Sequence, residues 1–148
     1  MMKYSSLTAL FMGLVGFLNA QIVSISPAFP TENDLVTITF DASQGSGGLI
    51  GESQVYGHFG VITSASSSNT DWRHVVGNWG VADPTTAMTN IGNNKHTFTC
   101  DIRSFHSVPG SETVLRLSMV FRNADGSKEG KTAGGGDIFI DLFNAGFQ

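Results

Sequence analysis

The chain has 148 residues, with 8 lysines and arginines against 12 aspartates and glutamates, and a formal net charge of −4. This length corresponds to one ordinary domain, and an acidic balance without a basic stripe argues against nucleic acids and anionic membranes as partners. The single cysteine, Cys100, rules out an internal disulfide framework. It lies in an apolar and polar alternation, so we expect it to be a small core residue of a strand.

The first twenty residues have the features of an export signal. Lys3 provides a positive charge, and residues 7–18 form an uncharged, mostly apolar stretch. That stretch is too short to span a bilayer, and Ala20 is the small residue expected before a signal-peptidase site. We therefore predict a signal peptide at residues 1–20 and a mature module at residues 21–148. The mature protein is expected outside the cell or at its surface, with no membrane insertion after cleavage.

The remainder of the chain predicts an all-β fold. It is rich in Gly, Ser, Thr and Val, and its apolar residues follow a two-residue alternation or short runs, not a helical period. Strands are predicted at residues 22–26, 35–41, 55–63, 87–91, 95–102, 114–123 and 137–143. Seven short strands at this spacing indicate an immunoglobulin-like antiparallel β-sandwich.

Turn-forming residues separate the predicted strands. Residues 45–51 form a glycine-rich loop, Asn93 and Asn94 form a turn, and a long loop opens at Asn123. Residues 102–106 are expected to form a single helical turn. In the strand at residues 35–41 the alternation predicts that one face is buried, through Val36, Ile38 and Phe40.

No motif for catalysis or metal binding stands out. None of the four histidines lies in a nucleophile motif or has HxH or HxxxH spacing, which argues against a catalytic triad and against zinc. Asn123-x-Asp125-Gly126 is similar to the start of a calcium loop, but the later ligands of an EF-hand are missing. We therefore predict a protein that is not an enzyme and has no metal or other cofactor. Two alternatives stay open: a calcium site that includes Asp137, and a hydrolase with two acids converging in a deep cleft.

An aromatic and polar set is the best candidate for a binding site. Tyr56 and His58 lie on one side of their predicted strand, and Trp72 and Trp79 follow in a polar, loop-like stretch. The C–H faces of a sugar ring pack well on an indole, while its hydroxyls need polar partners such as histidine and amide groups. These residues therefore point to a carbohydrate-binding surface.

The same residues resemble a known group of binding modules. Three segments resemble starch-binding carbohydrate-binding modules of families 25 and 26, together with Trp72, Trp79 and Met88. They are Tyr56-Gly57-His58-Phe59-Gly60-Val61, Val120-Phe121-Arg122-Asn123-x-Asp125-Gly126 and Asp137-Ile138-Phe139. They also resemble a related N-terminal module of exported Bacteroidetes glycosidases.

The resemblance implies a sandwich that accompanies a secreted glycosidase and binds an α-glucan polysaccharide, with a downstream catalytic domain as a further partner. By position, the implied sugar contacts are His58, Trp72, Asn123 and Asp125, with Trp79 and Tyr56 beside them. One departure is that the late loop of the family carries another tryptophan, whereas residues 127–136 contain no aromatic residue. The alternative function is a ligand-free immunoglobulin-like spacer or docking module, which is favoured if both tryptophans are buried in the core.

Overall fold

The computed structural model describes residues 21–144, so the predicted signal peptide and the last four residues of the predicted module lie outside it. No helix in the described part of the chain is long and apolar enough to cross a membrane. Residues 21–144 contain one short helix, α1 at Ile102–His106, and a 3-10 turn at Pro84–Thr86. The nine strands in this part are β1 Val23–Ser26, β2 Leu35–Asp41, β3 Tyr56–Thr63, β4 Arg73–Val76, β5 Thr89–Gly92, β6 Lys95–Asp101, β7 Val114–Arg122, β8 Glu129–Gly130 and β9 Ile138–Asp141.

The strands form two antiparallel sheets. The first has the order β1-β2-β6-β5, and the second has the order β4-β3-β7-β8, with β9 also paired to β7. These are the A-B-E-D and C′-C-F-G orders of an immunoglobulin sandwich, which confirms the predicted fold class. The last strand of that fold is split here, because β8 and β9 pair with different parts of β7 and residues 131–137 loop out between them.

Each predicted strand is present, and β2 has the predicted bounds. Two short strands, β4 and β8, were not predicted. They have four and two residues, and neither carries a clear apolar alternation. They are strands because they pair with a long neighbouring strand. The helical turn α1 is confirmed, and Asn93 and Asn94 both adopt left-handed backbone angles in the hairpin between β5 and β6.

The core lies between the sheets and is built from the predicted alternation. Val36, Ile38 and Phe40 of β2 are almost completely buried. Phe40 stacks on Phe121 of the opposite sheet with ring centres 4.1 Å apart. Cys100 is a partly buried residue packed against this core, as predicted, and burial raises the pKa of its thiol to about 12.

Candidate functional site

The candidate site lies on the outer face of the second sheet. Phe59 and Val61 of β3 point into the core, so the alternating residues Tyr56, His58 and Gly60 face outward. Pairing with β7 and β9 places Ser118 opposite Gly60, and Phe139 next to Ser118. Outward-facing side chains of three neighbouring strands therefore meet at the middle of this face.

Trp72 lies across this face and not in the core. A Cβ atom at Gly60 would be 2.8 Å from the Cε3 atom of the Trp72 ring and 3.1 Å from the hydroxyl oxygen of Ser118. Only a residue without a side chain leaves room for the indole at this height above the sheet. Trp72 is partly exposed, so its ring covers the sheet on one side and is accessible on another.

Four aromatic side chains form a continuous row, which we call the aromatic strip: Trp79, His58, Trp72 and Phe139. Successive ring centres are 5.4, 6.0 and 6.3 Å apart along the row. The rings are not coplanar, since the successive interplanar angles are 88°, 31° and 78°. Neither tryptophan belongs to the core of the described residues, and Trp79 is 44% exposed. The aromatic strip is thus a twisted, solvent-facing surface.

Trp79 is supported from below by a turn. A Cβ atom at Gly126 would be 2.6 Å from the indole nitrogen of Trp79, so the ring rests against the bare backbone of that glycine. Gly126 also has a φ of +71°, a left-handed conformation that glycine adopts without strain. The loop that carries Trp79 is itself fixed by Asp83, whose carboxylate accepts hydrogen bonds from the backbone amides of Asn78 and Thr85. These hydrogen bonds hold the pKa of Asp83 below its usual value.

Arg122 joins the two loops beneath Trp79. Its side chain is completely buried, and its guanidinium carbon lies 5.7 Å from the centre of the Trp79 ring. The guanidinium donates hydrogen bonds to backbone carbonyls of both loops, namely those of Asn78, Val81, Asn123 and Ala124. A buried cation with several carbonyl acceptors fixes the loops relative to each other. Arg122 is therefore the residue that positions Trp79.

His58 lies at the centre of the strip. Burial and the nearby Arg122 charge lower the pKa of its imidazole, while the Gly77 backbone and the Asp137 charge act in the opposite direction. Its Nδ1 atom is buried near the backbone of Gly77 without a hydrogen bond of normal geometry to any described residue. Nδ1 thus faces the protein, and the imidazole is held between the two tryptophans.

The structure brings three of the six predicted site residues together in the strip. The other three lie beside or beneath the strip and contact the residues that support it. His58, Trp72 and Trp79 are neighbours in the strip. Tyr56 is only 9% exposed, and the Arg122 guanidinium lies 5.3 Å from its ring centre. The side chains of Asn123 and Asp125 accept hydrogen bonds from the backbone amides of Lys128 and Ser127, respectively, within their own turn. That turn includes Gly126, so both residues shape the support for Trp79.

Sequence reasoning missed Phe139, Arg122 and Arg116 as parts of this face. Phe139 sits between Ile138 and Ile140, which point inward, so strand alternation alone places its ring outside. The Arg116 guanidinium lies 4.5 Å from the centre of the Phe139 ring, and its Nε donates a hydrogen bond to Asp141 at 2.7 Å. The strip therefore ends at an ion pair on the Phe139 side.

Comparison with known families gives one result. The model of a family described as a domain of unknown function (DUF8578) matches residues 23–129. The chain belongs to the DUF8578 family. No curated protein matches the chain. The matched region of this DUF8578 domain runs from β1 into β8, so it includes Trp79, His58 and Trp72 and excludes Phe139.

Two grooves adjoin the strip of this DUF8578 domain. One, of about 470 Å³, runs along the open edges of β1 and β9 and is lined mainly by aliphatic side chains, with Phe139 shared with the strip. The other, of about 370 Å³, is polar and lies beyond Trp79. No group of three or more His, Cys, Asp or Glu residues that could hold a metal ion occurs within residues 21–144.

Proposed function

We propose that this DUF8578 domain is a non-catalytic carbohydrate-binding module whose ligand is an α-glucan such as starch. The observation that carries the proposal is the aromatic strip, in which both tryptophans lie outside the core and Trp79 is 44% exposed. Single exposed aromatic residues are ordinary on a protein surface, whereas contiguous exposed apolar patches often mark binding sites. A ligand-free spacer has no need for a row of four adjoining rings.

The surroundings of the strip suit hydroxyl-rich ligands. Sugar rings stack their C–H faces on the indoles of Trp72 and Trp79, which supply a large contact area at a low cost in side-chain entropy. His58 offers an imidazole between them. Asp137 is exposed just before β9, and it lies near enough to the strip for its charge to act on His58. Rings and polar groups together would fix both the position and the orientation of a sugar chain.

The shape of the strip favours a chain that turns. A flat polysaccharide surface needs coplanar rings, whereas the ring planes here differ by 31° to 88° between neighbours. A twisted row of rings matches a ligand whose successive sugars rotate relative to each other, as in an α-glucan. This supports starch over a flat β-linked glucan.

Affinity gel electrophoresis tests the ligand class. The protein is run through native gels that contain amylose, amylopectin or a soluble β-glucan, beside the variants Trp79→Ala and Phe29→Ala. Phe29 is a matched control because it is 70% exposed and lies outside the strip. We expect retardation by the two α-glucans, lost in Trp79→Ala and kept in Phe29→Ala. Absence of retardation by every polysaccharide would instead favour the ligand-free spacer.

Export is part of the same proposal. A module of this kind acts on polysaccharide outside the cell, next to a glycosidase domain. Expression of the full chain in an exporting host, followed by mass spectrometry of the released protein, tests this directly. We expect a mature chain that starts at Gln21, and a cytoplasmic protein that retains residues 1–20 would contradict export.

A further inference from the structure

The polar groove is built from two loops at the end of the sandwich. One loop joins β2 to β3, and the other follows β7 and continues past β8. The groove has a volume of about 370 Å³ and no aromatic or aliphatic residue lines it. Its lining residues are Ser46, Gly48, Gly126, Ser127, Glu129, Lys131 and Gly135.

The groove and the strip share a wall. Gly126 lines the groove and is also the residue against which the indole of Trp79 rests. The groove is therefore next to the Trp79 end of the strip. The Arg122 guanidinium fixes this junction, because it holds the loop of Trp79 and the turn of Gly126 together.

We propose that the polar groove is a second subsite, which binds the part of a polysaccharide chain that extends beyond Trp79 through its hydroxyl groups. This inference rests on the proposed function, and it adds that the ligand is an oligomer longer than the strip. In this second subsite the sugar chain contacts charged side chains and backbone groups, and not aromatic rings.

The polar groups available in the groove suit hydroxyls. The hydroxyl of Ser46 already accepts a hydrogen bond from the Lys131 amide, and the hydroxyl of Ser127 donates one to Asp125. The Lys131 ammonium and the Glu129 carboxylate form an ion pair in the groove, with Nζ and Oε2 3.3 Å apart, and can offer their remaining hydrogens and oxygen to a ligand. A donor and an acceptor side by side can bind a pair of neighbouring hydroxyls.

Three glycines line the groove. Gly48, Gly126 and Gly135 contribute no side chain to it, and at Gly135 a Cβ atom would meet nothing within 4 Å, so a ligand can approach that peptide group closely. A Cβ atom at Gly48 would be 2.2 Å from the carbonyl oxygen of Glu129, which shows how closely the two loops approach each other. The groove is thus a shallow polar depression, open to solvent, where the two loops come into contact.

Titration with gluco-oligosaccharides of two lengths tests the subsite. Maltotriose and maltoheptaose are added to ¹⁵N-labelled protein while two sets of signals are followed by NMR. The indole N–H signals of Trp72 and Trp79 report the strip, and the backbone amides of Gly48 and Gly135 report the groove. We expect maltotriose to shift the indole signals alone and maltoheptaose to shift both sets.

A matched pair of lysine variants tests the chemistry. Lys131→Met removes the groove ammonium but keeps its aliphatic stem, while Lys128→Met removes an ammonium that pairs with Glu52 and does not line the groove. We expect Lys131→Met to weaken maltoheptaose binding by about tenfold, with maltotriose unaffected, because a charge-assisted hydrogen bond is lost. Lys128→Met should bind both ligands as the unmodified protein does.

The possible outcomes separate the two proposals. If both oligosaccharides shift the indole signals but never those of Gly48 and Gly135, the groove is not a subsite and the strip still binds sugar. If Lys131→Met and Lys128→Met bind maltoheptaose equally well, the assigned chemistry is wrong. If no signal moves with either oligosaccharide, carbohydrate binding itself fails, and the subsite fails with it.

Discussion

The indole of Trp72 lies so close above Gly60 that a Cβ atom there would be 2.8 Å from the ring. Trp72 therefore packs against the outer face of the second sheet, between His58 and Phe139. A glycine in the middle of a strand weakens that strand, so its presence here has a packing purpose. The height of the Trp72 ring above the sheet depends on this contact.

Gly60→Ala should displace the Trp72 ring. We expect a loss of about 1–3 kcal/mol in the free energy of unfolding, because an added methyl group overpacks the contact. Sugar binding should weaken at the same time. Urea denaturation and tryptophan fluorescence measure the two effects. Gly110→Ala is the control, since a Cβ atom at Gly110 meets nothing within 4 Å. Equal stability and equal sugar binding of the two variants would show that the Gly60 contact does not determine the position of the Trp72 ring.

Arg122→Met should loosen both loops around Trp79. The buried guanidinium donates hydrogen bonds to four backbone carbonyls, and their loss should lower the free energy of unfolding by about 3 kcal/mol. Arg116→Met is the matched control on the same strand. Arg116 pairs with the exposed Asp141, so its loss should cost less than about 1 kcal/mol. Similar denaturation midpoints for the two variants would contradict the role given to Arg122.

The fold could be predicted well from the sequence, and the site only in part. Strands such as β2 carry a strict alternation, so their bounds and buried faces follow directly from residues such as Val36 and Ile38. The two tryptophans and His58 were identified because they are adjacent to each other or to turns in the chain. Phe139 and Arg116 were missed because sheet pairing, and not sequence proximity, brings them to the strip. Arg122 was missed because its acceptors are carbonyls, which have no signature in the sequence.

Stability should fall in mild acid. Burial is the largest cause that lowers the pKa of His58, His96 and His106 from the ordinary value of 6.5. Below pH 6.5 the unfolded chain therefore binds protons on these residues before the folded chain does. The free energy of unfolding should decrease as the pH falls from 7 to about 5. Urea denaturation at several pH values measures this slope.

His96 is the best single test of that pH dependence. It is completely buried beside Phe40, and neither ring nitrogen has a hydrogen-bond partner among residues 21–144. His96→Leu should leave the stability at pH 7 unchanged or higher, because an unsatisfied polar group is replaced by an apolar one. It should also make the free energy of unfolding fall less steeply as the pH is lowered. A slope identical to that of the unmodified protein would show that His96 does not contribute.

Cys100 should be unreactive in the folded protein. Its pKa is raised to about 12 by burial and by the nearby Asp101 charge, so the thiol stays protonated at pH 8. We expect very slow labelling by iodoacetamide in native buffer and complete labelling in denaturant, measured by mass spectrometry. Rapid labelling of the native protein would contradict the packing of β6 against the core.

Isothermal titration calorimetry with maltoheptaose tests the central claim, that the aromatic strip binds a sugar chain. The unmodified protein is compared with Trp72→Phe, Trp79→Ala and the control Phe29→Ala, whose ring is not part of the strip, after circular dichroism has confirmed that each is folded. We predict that Trp79→Ala binds at least about tenfold more weakly, that Trp72→Phe is intermediate, and that Phe29→Ala is unchanged. Equal affinity in all four proteins, or no binding by the unmodified protein, would contradict the account.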